Sequence, residues 1–219
     1  MPQSQTSTAE IEDSATATQA AAGWHENPLE PEQQHRAAAY GLLAALLRSS
    51  PDQERLHQVS GFSEVEQGGD EMTLAMSLLG LAASRCTEQA INDEYHALFI
   101  GLGRGELLPY GSFYLTGFLM EKPLGELRDD LDRLGYVREA DVHEPEDHIA
   151  ALCEVMMMLI QEGSSIEQQA AFFTSHIDTW SQKFFTDMAT ANNAVFYKAV
   201  ARFGSAFMDI EQRYLTAGA

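Results

Sequence analysis

The chain has 219 residues, enough for one sizeable domain and short for two independent ones. Its 13 Lys and Arg against 33 Asp and Glu give a formal charge of −20, which argues against a nucleic-acid surface, since phosphate binding depends on basic side chains. The longest small or apolar run, residues 37–47, is too short to span a bilayer, and no basic residue precedes Arg36, so neither membrane insertion nor a secretory signal is expected.

Residues 1–30 are mainly Ala, Thr, Ser, Gln and acids, with few large side chains to bury. Such a composition predicts a disordered, acidic and polar tail. From residue 31 onward, apolar side chains recur every three to four positions, which predicts one all-α domain over 31–219, a helical bundle with short connections. Predicted helices cover about 31–48, 71–85, 88–100, 125–134, 146–161, 165–176, 179–190 and 194–215.

The longest irregular stretch, GLGRGELLPYGS at 101–112, contains a Gly-x-Gly-x-Gly pattern. A phosphate-binding glycine loop should follow a strand and open a helix, often with Lys-Ser or Lys-Thr at its end. Here the preceding EYHALFI has helical spacing, and no Lys-Ser or Lys-Thr follows. A loop between two helices is therefore the better interpretation.

Two histidines and three carboxylates surround Pro145 in HEPEDHIAALCEVMMMLI, residues 143–160. Pro145 is predicted to be the first helical residue, because proline tolerates that position. Glu146 and Asp147 would then lie in the first turn, where carboxylates complement the helix dipole. The three methionines that follow, at 156–158, sweep about 200° of the helix, so not all of them can face one seam.

The same stretch leaves an enzymatic reading open, a helical metal-dependent hydrolase that would use His143, Glu144, Asp147 and His148. The two histidines are five positions apart, about 140° around a helix, so one regular helix does not direct both at one metal ion. No neighbouring residue supplies a nucleophile with an oriented base. The spacing thus argues against this reading.

Two further patterns carry a resemblance. EYHALFIGLGRGELLPYGSFYLTG, residues 94–117, contains Tyr-x-x-Leu-Phe, a glycine loop and Pro-Tyr-x-Ser-x-Tyr, and residues 145–148 read Pro-x-Asp-His. Both resemble motifs of the TorD/DmsD family of cytoplasmic chaperones, related to NarJ-type assembly proteins, although the family's Glu-x-Pro-x-Asp-His is matched only from its proline onward. The likeness extends more loosely over about 34–215.

The resemblance implies an all-helical, non-enzymatic chaperone without a cofactor of its own. Such a protein binds the twin-arginine signal peptide, and often the body, of an apo-molybdoenzyme in the cytoplasm until the molybdopterin cofactor is inserted. A reducing compartment also suits the two lone cysteines, Cys86 and Cys153. An adaptor that binds a folded redox-enzyme subunit without recognising its leader is the alternative.

For individual residues, the resemblance implies peptide binding by Pro145, Asp147 and His148, with Asp147 as a partner for a client arginine. Candidate lining of the same cleft is Tyr110, Ser112 and Tyr114, although core packing explains the tyrosines equally well. The loop from Tyr136 to Glu144 is a candidate hinge, because family members exchange helical segments, so the chain is expected as a monomer or a domain-swapped dimer.

Overall fold

The computed structural model describes residues 29–64, 69–101, 104–138 and 142–218. The described part is helical, with no strand beyond one isolated β-bridge, and the predicted all-α fold is confirmed. In chain order the helices are α1 (Pro31–Arg48), α2 (Gln53–Ser60), α3 (Glu71–Arg85), α4 (Glu88–Tyr95), α5 (Gly111–Thr116), α6 (Lys122–Leu134), α7 (Ile149–Gln161), α8 (Ile166–Phe173), α9 (Ser181–Thr190) and α10 (Phe196–Gly218). The predicted tail lies, up to residue 28, outside the described residues.

Local signals explain most helix boundaries. The Asp70 side chain accepts the Thr73 N–H at the start of α3, and Ser165 forms a capping box with Gln168 at the start of α8. Turns of π-helix, His96–Ile100 and Thr174–Asp178, extend α4 and α8, which accounts for the longer helices predicted there.

Two short helices were missed by the sequence prediction. Helix α2 carries only two buried side chains in eight residues, Leu56 and Val59, so its apolar period is weak. Helix α5 has six residues and was assigned partly to the preceding loop. Helix α6 begins at Lys122, earlier than expected, because Pro123 lies in its first turn and not in a loop.

The prediction that Pro145 is the first helical residue is wrong. Helix α7 begins at Ile149, with His148 as its N-cap, and residues 145–147 form a turn before it. Backbone hydrogen bonds with the segment around Tyr110 hold residues 147–149, and the bridge residue His148 is extended, so the helix cannot start earlier. Glu146 and Asp147 consequently lie outside the first helical turn.

The core forms where α1 and α7 pack along each other and where α10 packs against α3 and α9. Gly204 on α10 lies directly under the Phe185 ring, and a Cβ atom there would stand 2.3 Å from Phe185 Cε1. Close packing of α9 on α10 therefore requires glycine at this position. None of the described helices combines the length and apolar character needed to cross a membrane.

A buried ion pair joins the first and last helices. Arg36 on α1 makes two 2.7 Å hydrogen bonds to the carboxylate of Glu211 on α10, and both side chains are at most 5% exposed. Tyr40 donates its hydroxyl to the same carboxylate at 2.9 Å, and Gln169 accepts from Arg36 at 2.7 Å. Since every charge here has partners, the network fixes the register of α1 against α10.

Candidate functional site

A single pair of extended residues, Tyr110 and His148, brings the two sequence motifs together. Their rings also meet edge to face, with centroids 5.2 Å apart. Two backbone hydrogen bonds of 2.9 Å bracket the pair, from Gly111 to Asp147 and from Ile149 to Pro109. Residues 38 positions apart in sequence are thus fixed side by side.

Asp147 holds the start of α5. Its side chain is buried, and the Oδ2 atom accepts the Ser112 N–H at 2.7 Å. The other oxygen, Oδ1, is also buried and takes no hydrogen bond from the described residues. A carboxylate in this position faces the backbone of its own chain and not solvent, so the geometry favours a positioning role over direct contact with a client arginine.

His148 closes the start of α7. Its Nδ1 atom accepts the Ala150 N–H at 3.1 Å, which satisfies one of the free donors of the first turn. Burial lowers the pKa of His148 to about 4, opposed by the nearby Glu144 and assisted by Arg48. The imidazole is therefore neutral near pH 7 and serves as an acceptor.

Tyr110 binds the exposed carboxylate of Glu144. Its hydroxyl donates to Glu144 Oε1 at 2.6 Å, and Glu144 itself is exposed. Burial, together with the hydrogen bond to Glu144, raises the pKa of Tyr110 far above its ordinary value, so the phenol remains a donor. The exposed end of this pair is the carboxylate of Glu144.

The other two candidate lining residues lie deeper. Ser112 is fully buried, and its Oγ accepts the Met120 N–H at 3.2 Å. Tyr114 stacks on Trp180 with ring centroids 5.4 Å apart, and the ammonium of Lys183 lies 5.5 Å from the centre of its ring. Both contacts fit the packing explanation that the sequence left open for the tyrosines.

Residues 136–144, the candidate hinge, follow Gly135, which caps the C-terminal end of α6 in a left-handed conformation with φ of 82°. The Tyr136 hydroxyl donates to Glu162 at 2.8 Å at the far end of α7. Residues 139–141 lie outside the described part of the chain, and the hinge stays a prediction.

A cleft of about 530 Å³ opens beside this loop, between α6 and α7. Pro145 and Glu144 line it, whereas Asp147 and Ser112 line a separate cavity of only about 70 Å³. The cleft wall is apolar over most of its area and is formed by Leu131, Val137, Val142, Pro145, Ala151, Val155, Met157 and Met158. Charged side chains at the same cleft are Arg48, Arg138, Glu144, Glu146 and Glu154.

Sequence reasoning missed several of these lining residues because the packing of helices, and not a local motif, brings them to the cleft. Arg48 ends α1, Leu131 lies on α6, and Glu154 is the one charged residue within the apolar helix α7. That single acid in an apolar face was the available signal. Of the three methionines, Met156 is buried in the core while Met157 and Met158 line the cleft, in agreement with their predicted spread around the helix.

A second groove, of about 870 Å³, lies on another face of the bundle, between α1, α2, α3 and α10. Apolar side chains such as Leu42, Phe62 and Met76 form much of its wall. None of the residues that the sequence singled out for peptide binding lines this groove. Within the described residues, no group of three His, Cys, Asp or Glu side chains comes together to hold a metal ion.

Comparison with known proteins defines the class as chaperones. The chain is 25% identical to the chaperone protein TorD of Aliivibrio salmonicida over 211 residues, which cover 86% of this chain and 98% of that protein. It is 26% identical over 170 residues to a protein named as the Tat proofreading chaperone DmsD of Haemophilus influenzae, covering 74% of this chain and 83% of the relative.

The fold is similar to the crystal structure of a protein from Archaeoglobus fulgidus described as a redox enzyme maturation protein. The TM-score is 0.53 at 17% identity, over 85% of this chain and 99% of the other. The family model of the nitrate reductase delta subunit matches residues 66–186, more than half of the sequence. The chain therefore belongs to that family, with the TorD and DmsD chaperones among its relatives, and it is not an enzyme.

Proposed function

We propose that this protein is a cytoplasmic chaperone for a molybdopterin-dependent oxidoreductase. It binds the twin-arginine signal peptide and the apo-form of its client, and it holds the client until the cofactor is inserted. The names of its relatives support the redox-enzyme client and the Tat leader: TorD chaperones, a Tat proofreading chaperone and a redox enzyme maturation protein.

One observation carries the leader-binding part of the proposal: the cleft combines an apolar wall with carboxylates at its edge. A twin-arginine leader has the matching composition, two guanidinium groups followed by an apolar segment. Met157 and Met158 supply adaptable apolar surface, because methionine has an unbranched, polarizable side chain. Glu144 is exposed and can accept two hydrogen bonds from a guanidinium.

The sequence-predicted residues then divide by role. Pro145, predicted for peptide binding, and Glu144, predicted as part of the hinge, line the cleft and contact the peptide. Asp147, His148 and Ser112 hold the backbone from which these two project, and Tyr110 orients the Glu144 carboxylate. Tyr114 supports the helix that carries Ser112 through its stacking on Trp180.

Calorimetric titration with twin-arginine leaders from candidate molybdoenzymes, each beside an Arg-Arg→Lys-Lys leader, tests the proposal. Micromolar or tighter binding to one leader, lost or reduced with the lysine version, is the expected result. Glu144→Gln should weaken this binding by about 1 to 3 kcal/mol, the range of charge-assisted hydrogen bonds. Glu88→Gln, an exposed glutamate on α4, is the matched control and should leave it unchanged.

The overall charge of −20 adds a second expectation. Raising the salt concentration should slow association with the cationic leader, because it screens the attraction between them. A protein that binds the folded client equally well with and without its leader, and that binds no isolated leader, would contradict the proposal. That result would favour the adaptor alternative.

A further inference from the structure

Two carboxylates of the cleft, Glu146 and Glu154, are already paired with arginines of the same chain. In the part of the chain that the structure describes, three carboxylates line the cleft: Glu144, Glu146 and Glu154. Three of the 13 basic residues of the protein lie at or beside them: Arg48, Arg128 and Arg138. Among the described residues, these three carboxylates and three arginines carry equal and opposite charge, although the whole chain carries −20. A bound arginine must therefore use an unpaired carboxylate or displace one of these arginines.

The three carboxylates differ in how firmly they are held. Glu146 binds Arg128 at 2.8 and 2.9 Å, lies 3.5 Å from Arg138, and is only 14% exposed. Among the described residues, the Glu144 carboxylate accepts a hydrogen bond only from the neutral Tyr110 hydroxyl and forms no ion pair, while Arg138 donates to the Glu144 backbone carbonyl at 3.2 Å. Glu146 is thus held in ion pairs within the protein, whereas the Glu144 carboxylate is available to bind a ligand.

Glu154 is the intermediate case. Arg48 binds it with a fork of two hydrogen bonds, Nε to Oε1 at 2.7 Å and Nη2 to Oε2. This is the arrangement that a client guanidinium would adopt with the same carboxylate. The two side chains are 32% and 37% exposed, and ion pairs this accessible to water add little net stability. Replacing one guanidinium by another here costs little.

We propose that Arg48, in the free protein, occupies the position on Glu154 that an arginine of the client takes in the complex. One guanidinium of the bound leader displaces Arg48 from Glu154, and the second guanidinium binds Glu144. This inference rests on the proposed function, since it assumes that the leader occupies this cleft. Displacement sets the selectivity for arginine: a lysine ammonium cannot reproduce the planar fork and competes poorly with Arg48. On release of the client, Arg48 returns to Glu154 and closes the site.

The test compares two variants whose effects have opposite signs. Arg48→Gln removes the competitor, so it should tighten binding of a twin-arginine leader by about two- to fivefold, in line with the small contribution of an exposed ion pair. Arg48→Gln should also reduce the ratio of the affinity for the Arg-Arg leader to the affinity for the Lys-Lys leader. Glu154→Gln removes the acceptor and should weaken binding of the twin-arginine leader by on the order of tenfold.

The chain offers a matched control in Arg202 and Glu71, which form a similar two-bond pair at 2.6 and 3.0 Å between α10 and α3, outside the cleft. Arg202→Gln changes the net charge as Arg48→Gln does and should leave the preference for Arg-Arg over Lys-Lys unchanged. Equal effects of the two variants would overturn the inference, because they would reduce it to a general effect of net charge.

The failure of this inference is distinguishable from failure of the proposed function. A wild-type protein that binds no leader contradicts the proposed function itself. Wild-type binding with Arg48→Gln unchanged or weaker contradicts only the role of Arg48. Should the variants fold poorly, the Nε–Hε resonance of Arg48 in the wild-type protein gives the answer: it should shift strongly on titration with the leader, and an unmoved resonance would overturn the inference.

Discussion

Replacing Asp147 by alanine should destabilise the protein by about 2 kcal/mol. The change removes the acceptor of the buried Ser112 N–H, now bound at 2.7 Å, and an unsatisfied buried donor costs about 1 to 3 kcal/mol. The same change also removes the Oδ1 atom, which is buried without a hydrogen bond from the described residues, and this removal offsets part of the destabilisation. For a chain of this length each kcal/mol lowers the Tm by about 2 to 4 °C, so a decrease of about 4 to 8 °C is expected.

Thermal unfolding followed by circular dichroism measures this, with Asp129→Ala as the control, because that carboxylate is exposed on α6. Asp147→Asn keeps an acceptor oxygen for Ser112 and should leave leader affinity nearly unchanged in the folded protein. An unchanged Tm in Asp147→Ala would refute the positioning role. A well-folded Asp147→Asn variant that no longer binds the leader would instead show that the Asp147 charge contacts the client directly.

Three further variants test the account. The pKa of His148 lies near 4, below its ordinary value of 6.5, so the stability that the neutral ring contributes is complete above about pH 6.5 and is lost as the pH falls toward 4. Between these pH values, the free energies of unfolding of the wild type and of His148→Gln, measured in urea, should diverge by about 3 kcal/mol. Parallel pH dependences of the two proteins would contradict this role of His148. Glu94 accepts three backbone N–H groups at the start of α10, so Glu94→Ala should cost about 1 to 2 kcal/mol in urea unfolding, and no cost would refute that capping role. Glu211→Ala should cost about 3 to 5 kcal/mol because it leaves the Arg36 charge buried and unpaired, and a loss below 1 kcal/mol in the same assay would show that water reaches that charge.

Most of the helical framework could be predicted from periodicity alone. Long helices with a broad buried face, such as α1 and α10, repeat their apolar residues over several turns, and their predicted starts or ends fall close to the observed ones. Helices α2 and α5 span only about two turns each, too few positions for a period to stand out from chance.

The start of α7 could not be predicted for a different reason. Proline, glutamate and aspartate in sequence are the ordinary signature of a first helical turn. Here the decisive contact comes from residues 109–111, which pair with 147–149 through the backbone, and no local signal reports such a pairing. The same contact buries Asp147, so the residue that looks exposed and chemically available in the sequence is a structural one.

The cleft itself was visible in the sequence only in part. Pro145 stands in the recognised motif and Glu144 directly precedes it. Arg48 and Glu154, in contrast, come from α1 and α7 and meet only because these two helices pack together. The charge composition indicated a cationic partner. It could not show that arginines of the chain already pair with Glu146 and Glu154 at this site.

Photo-crosslinking tests the central claim, that the leader lies in the cleft between α6 and α7, most directly. A twin-arginine leader with a benzophenone group in its apolar segment would be bound, irradiated and mapped by mass spectrometry. Crosslinks should fall on Met157 and Met158, which line the cleft. Crosslinks confined to Met72 and Met76, in the larger groove on the other face, would contradict the account.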